Sequence, residues 1–310
     1  MTSDHSLATA TDVRSAGPSG RAAGAPPAGR GSLAVACWTL FTLTLRQHMH
    51  GKRWLVIAVL SLLPPALAIL IRSTAPDAPP MMLEFLLGLM FIPQLLLPLV
   101  ALLYAAGIIQ DEQEEQTITY LLVRPIPKWA LYTVKLLATV TTAIAFTVVL
   151  TVLTYAAIFT GADAPSDDIP LRCLKVAAIH SLAVVAYSSL FGLVSLLTKR
   201  VLIVGIGYTA LVEGLLANLP FGIRLITVIY YTRLIAYRSM EFLIQLPNGR
   251  TENVAADAWQ FDLKGDPSLL EHPSISACVA VLLIGSLVCT TLAAWLCTTR
   301  EFHVKTPEKE

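Results

Sequence analysis

Charged side chains are scarce in this sequence, at 14% of 310 residues, where soluble domains carry about 25%. Hydrophobic residues make up 55% and mean hydropathy is +0.67. A soluble fold would have to bury nearly all of them, which surface-to-volume scaling forbids at this length. The scarcity therefore excludes a water-soluble globular protein and leaves an integral membrane protein. Net charge is only +1, with basic residues at the ends of apolar runs, so no patch forms for nucleic acid. The five cysteines (Cys37, Cys173, Cys278, Cys289, Cys297) have no CxxC or other metal spacing. Cys289 and Cys297 lie two helical turns apart in one apolar run, as small packing residues would.

Catalytic and nucleotide motifs are missing as well. The sequence has no GxxxxGK[ST] phosphate loop, no HExxH and no GxSxG. It reads as no enzyme, without an ATP site of its own. Gly205 and Gly207 fall inside an apolar run, where small residues serve helix packing rather than a dinucleotide fingerprint.

What the sequence has instead is apolar runs. Six are candidate spans: 54–71 with a Pro64-Pro65 kink, 83–109 with Pro93 and Pro98, 130–158, 172–197, 201–219 and 274–297. About twenty helical residues cross the ~30 Å hydrocarbon core, so each suffices. The second and third are longer and should tilt or project. The fold class expected is all-α integral membrane. Residues 1–32, rich in Gly, Pro, Ala and Ser, should be a disordered cytoplasmic tail rather than a signal peptide. Residues 33–300 form the transmembrane domain and 301–310 a second cytoplasmic tail. Residues 33–50 carry Trp38, Phe41 and Leu45 at near-helical spacing with basic groups at the far end, which suits a helix in the membrane interface.

Orientation follows from Lys and Arg at the short flanks. Arg46, Lys52, Arg53, Arg124, Lys128, Lys135, Lys199, Arg200, Arg300, Lys305 and Lys309 stand against Arg72, Arg172 and Lys175. Eleven against three places both termini and residues 111–129 in the cytoplasm. The segment 221–246 holds Arg224, Arg233, Arg238 and Glu241, each costing about 2.5–3.5 kcal/mol at mid-membrane. It reads as short amphipathic or re-entrant helices on the outer face rather than a seventh span.

Few polar groups enter the spans. Glu213 lies about 18 Å along the fifth, with Asn218 a turn further. It either lines a transport path or is a buried interhelical partner, with Arg224 as a candidate counter-ion. His180 reads as an interhelical hydrogen-bonder. Glu84 sits at the edge of the second span and reads as interfacial. Gln94 and Tyr104 either line a path or bond neighbouring helices.

Between the second and third spans the sequence reads DEQEEQTITYLLVRPIPKWALYTVK (111–135). Four carboxylates fall in five positions, then Ile118, Leu121 and Leu122 form one face of a short helix. Pro125 and Pro127 stop that helix and stiffen the return. An apolar face on a stiff segment suits docking into a groove on a soluble partner.

The run Ile109, Glu112, Thr117, Ile118, Leu121, Leu122, Pro125, Ile126, Lys128, Leu131 and Lys135 resembles the signature of ABC transporter permeases of the type-2 exporter family. Gln116 and Pro127 depart from the family's usual Gly and Ser. The layout of interfacial helix, six spans and outer helices between spans five and six is similar too. Permeases serving nitrous oxide reductase maturation or multidrug export are of this kind.

The resemblance implies a permease dimer in the cytoplasmic membrane above two separately encoded ATP-binding cassette ATPase subunits, which hold ATP and Mg. Residues 113–124 would be the coupling helix, with Glu112, Thr117, Ile118, Leu121, Leu122, Arg124 and Pro125 at the ATPase. The second and fifth spans would line the path, making Gln94, Tyr104 and Glu213 lining candidates. The alternative is an ion-coupled carrier or membrane-embedded enzyme with no ATPase. Such carriers tend to show internal repeats, and no repeat is visible here.

Overall fold

A computed structural model describes residues 30–108, 127–161, 168–219, 222–240, 242–245, 251–259 and 273–299. Among them six helices are long and apolar enough to cross a membrane: Arg53–Thr74, Pro80–Ala105, Lys128–Phe159, Ile169–Leu197, Val201–Asn218 and Ile275–Thr299. The protein is a multi-pass membrane protein whose membrane-spanning part is all-helical. The expected tails, 1–32 and 301–310, lie almost wholly outside the described residues, as does the expected coupling helix.

The fourth span is the centre of the bundle. Its most apolar stretch is 72% buried, against 17% for the sixth span. Around it, Ile92, Leu96, Leu97 and Tyr104 of the second span meet Tyr132 and Leu150 of the third and Tyr187 and Phe191 of the fourth. Threonines inside the third span are tolerated because they bond their own helix. Thr142 donates to the Ala138 carbonyl and Thr154 to that of Leu150, at 2.9 and 2.8 Å. The N-terminal helix Arg30–His50 lies on the third span through one stripe, in which Leu40 and Thr44 are buried. At its end His48 Nε2 meets Thr139 Oγ1 at 3.2 Å.

Prolines shape two spans. The first is broken into Lys52–Ser61 and Leu63–Thr74, with Leu62 between, because Pro64 and Pro65 have no N–H to continue the ladder. The second is wound at π pitch over Glu84–Leu96, with Pro93 inside it. At that pitch bonds run from residue i to i−5, so Pro93 leaves the Gly88 carbonyl without its intrahelical donor. His180 of the fourth span supplies one: its Nε2 lies 2.9 Å from the Gly88 oxygen. A carbonyl only accepts, so Nε2 carries the proton, and Nδ1 lies 2.9 Å from the Thr151 hydroxyl, whose single proton is shared between it and the Thr147 carbonyl at 2.8 Å. The lone intramembrane histidine is a satisfied structural group.

After the fifth span the chain makes a short 3-10 turn, Gly222–Ile226, and a 12-residue helix, Val228–Ser239. That helix rises about 18 Å, well short of the ~30 Å hydrocarbon core. It is wedged into the bundle, with Ile229, Tyr230, Thr232, Arg233, Leu234, Ile235 and Ala236 buried. Two strands, Leu243–Gln245 and Thr251–Asn253, pair antiparallel beyond it, and Val254–Trp259 follows as a short helix.

Candidate functional site

The short helix Val228–Ser239 is held at both ends by charge. At its start, Glu213 Oε1 accepts from the Val228 amide at 3.1 Å and Oε2 from the Ile229 amide at 3.0 Å. The Tyr208 hydroxyl donates to Oε1 at 2.9 Å. A fully buried carboxylate thus serves two of the helix's orphan N–H groups and faces the positive end of its dipole. At the far end, Lys175 Nζ donates to the Ser239 carbonyl at 2.9 Å, a cation at the negative end. The counter-ion considered for Glu213, Arg224, is not its partner. The chain turns back fifteen residues on and aims a helix N-terminus at the carboxylate, while Arg224 lies over the Tyr230 ring at 5.2 Å.

From the middle of this helix Arg233 reaches both lining-candidate spans. Nη1 donates to Asn218 Oδ1 at 2.9 Å and Nη2 to Gln94 Oε1 at 3.2 Å. Among the described residues its Nε has no partner, and its guanidinium carbon lies 6.0 Å from the centre of the Trp259 ring. A guanidinium keeps its proton even when buried, so Arg233 is a cation here. Trp259 closes the network, donating from Nε1 to Met90 Sδ at 3.0 Å.

Of the lining candidates, the structure brings Gln94 and Glu213 to the same short helix. Tyr104 is elsewhere, fully buried toward the other end of the second span, 4.9 Å from the His48 ring. Glu84, expected at the membrane interface at the edge of the second span, is fully enclosed by protein. Arg172 grips it with Nε at 3.0 Å and Nη2 at 2.9 Å, and the Tyr155 hydroxyl donates to it at 2.5 Å. A bidentate guanidinium makes that burial tolerable, and the guanidinium itself lies over the Phe242 ring at 5.6 Å. Sequence reading missed this cluster and the Arg233 network because their members are 15 to 139 residues apart.

The expected coupling residues Glu112, Thr117, Ile118, Leu121, Leu122, Arg124 and Pro125 lie outside the described residues. The structure reaches the edge of their segment. There, buried Lys135 of the third span donates to the Ile108 carbonyl at 3.2 Å. Among the described residues no three His, Cys, Asp or Glu side chains gather as metal ligands.

The profile of a family described as ABC-2 family transporter protein matches residues 49–215. The chain belongs to the ABC-2 transporter family. No curated protein matches it. As an ABC-2 family member it is a permease subunit of an ABC transporter, a membrane transport component. The matched region contains Glu84, Gln94, Lys135, His180 and Glu213 and ends at residue 215. Arg233, Trp259 and the sixth span lie beyond it, so the ABC-2 match reaches one side of the buried polar network and not the other.

Proposed function

We infer that this permease subunit is an exporter in the cytoplasmic membrane, paired with a second permease subunit and with both termini cytoplasmic. A separate ATPase subunit carrying ATP and Mg energises it by docking on residues 113–124. Glu112, Thr117, Ile118, Leu121, Leu122, Arg124 and Pro125 make or orient that contact.

The observation that carries this reading is the lock between Lys135 and the Ile108 carbonyl. It ties the second and third spans together where the docking segment leaves them, so a push on that segment reaches both at once. The second span carries the movement on to Gln94, which meets Arg233 of the short helix. The fifth span holds the same helix through Glu213 and Asn218. The two spans expected to line the path thus share one small element. ATP binding favours one of its positions by the contacts it makes there, as in other domain and helix switches.

The test is co-expression with a candidate ATP-binding cassette ATPase, chosen first from any encoded beside this chain. The wild-type chain should co-purify with that ATPase and raise its ATP hydrolysis. Leu121→Asp with Leu122→Asp should abolish co-purification, and Lys135→Met should keep it while losing the stimulation. Undiminished co-purification of the double variant overturns the docking assignment.

A further inference from the structure

The first and second spans leave between them an apolar cleft of about 370 Å3, walled by Leu67, Ile71, Leu86, Met90, Phe91 and Leu95. That volume falls within the range of about 300–1,000 Å3 usual for small-molecule sites. The polar side chain that borders it is Gln94, midway along the Pro80–Ala105 helix. Its orientation is set by chemistry. A guanidinium can only donate, so Arg233 Nη2 must meet the amide oxygen, 3.2 Å away. The amide nitrogen is the end not engaged by Arg233, and among the described residues nothing accepts from it. Behind it stands a cation that is 5% exposed and that has, among the described residues, an unpartnered Nε and only neutral hydrogen-bond acceptors, Asn218 and Gln94. The Glu213 carboxylate nearby is already engaged by three donors.

We propose that this cleft binds the transported molecule, and that this molecule is an acidic amphiphile. Its apolar chain lies along the cleft and its hydrogen-bond-accepting head meets the Gln94 amide in front of Arg233. The assignment rests on the permease reading above and adds a substrate class to it. A purely apolar occupant leaves the oriented donor unserved in hydrocarbon, and a cationic head meets like charge. A resting bilayer lipid keeps its head at the interface and offers only methylene at this depth. An acceptor at mid-span therefore selects a molecule drawn away from that position.

The test uses the full chain in phosphatidylcholine nanodiscs without ATP, so its result is independent of ATPase docking. Three palmitate-length photoactivatable probes are compared: one with a carboxylate head, one with a trimethylammonium head and one with no head. The carboxylate probe should label Met90, Phe91 or Leu95 about tenfold more than the others, a preference of about 1.4 kcal/mol. Gln94→Leu should reduce it to the level of the headless probe. Gln94→Glu, which keeps an acceptor for Arg233 and offers the cleft no donor, should abolish the preference while the protein stays monodisperse. Equal labelling by all three probes overturns the proposal, the cleft then being a surface wetted by any chain. So does a cleft closed to every probe by disulfide-trapped contact with a second copy. Lost ATPase docking with the labelling preference intact would count against the permease assembly alone.

Discussion

His180 Nε2 lies 2.9 Å from the Gly88 carbonyl, an acceptor that Pro93 leaves without a donor at the pitch of the second span. A proline on one helix and a histidine on another thus form one unit. His180→Leu should destabilise the protein by about 1–3 kcal/mol, the cost of stranding a buried acceptor. In a Pro93→Ala background the Gly88 carbonyl regains an intrahelical donor, whether the helix stays at π pitch or reverts to α. The His180→Leu penalty should then fall by half or more, read from unfolding midpoints in mixed detergent micelles. Equal penalties in both backgrounds would break the link.

Glu213 makes a second, local prediction. Glu213→Ala removes the acceptor for the Val228 and Ile229 amides and strands two N–H groups at a buried helix start. Hydrogen exchange of the 228–239 segment should speed up by roughly tenfold or more, equivalent to about 1.4 kcal/mol or more of lost protection. Glu213→Gln, which keeps one amide oxygen, should fall between. Unchanged protection in Glu213→Ala would mean that packing of Ile229 and Leu234 alone fixes the helix.

The six spans were legible because apolar length is a property of contiguous sequence. Gln94 and Glu213 could be picked out one by one, since an amide or carboxylate inside an apolar run stands out. Their meeting at Arg233 could not be read, because it depends on how the short helix folds back between two spans. The enclosure of Glu84 was hidden for the same reason. At the edge of an apolar window it reads as interfacial, and only the guanidinium of Arg172, 88 residues on, makes full burial acceptable. The winding of the second span was hidden for another reason. A run as apolar as 85–93 satisfies α and π pitch equally, and only the unmet carbonyl behind Pro93 distinguishes them.

The Glu84–Arg172 pair should show the asymmetry of buried ions. Arg172 is 13% exposed and Glu84 not at all. Removing one partner, as in Arg172→Met, should cost about 3 kcal/mol, the lower end for stranding a buried charge. Glu84→Met alone should cost less, because Arg172 can reach solvent. The double variant should recover most of the Arg172→Met loss, as replacement of a buried pair by apolar groups often does. Additive losses in a double-mutant cycle would refute the coupling.

Two glycines one turn-fragment apart on the fifth span separate close packing from mere smallness. A Cβ on Gly205 would come within 2.2 Å of Leu102 Cδ1, whereas one on Gly207 would meet nothing within 4 Å. Leu102 is 1% exposed and boxed in by the core, so it has little room to swing away. Gly205→Val should therefore force the second and fifth spans apart and cost about 1–3 kcal/mol by overpacking. Gly207→Val, with the same change in helix propensity, should cost well under 1 kcal/mol, since β-branched residues replace glycine readily in a helix. Leu102→Ala should relieve much of the Gly205→Val penalty by opening the volume that the new side chain needs. Comparable losses for both glycine variants would instead assign the effect to helix propensity and remove Gly205 from the contact between these two spans.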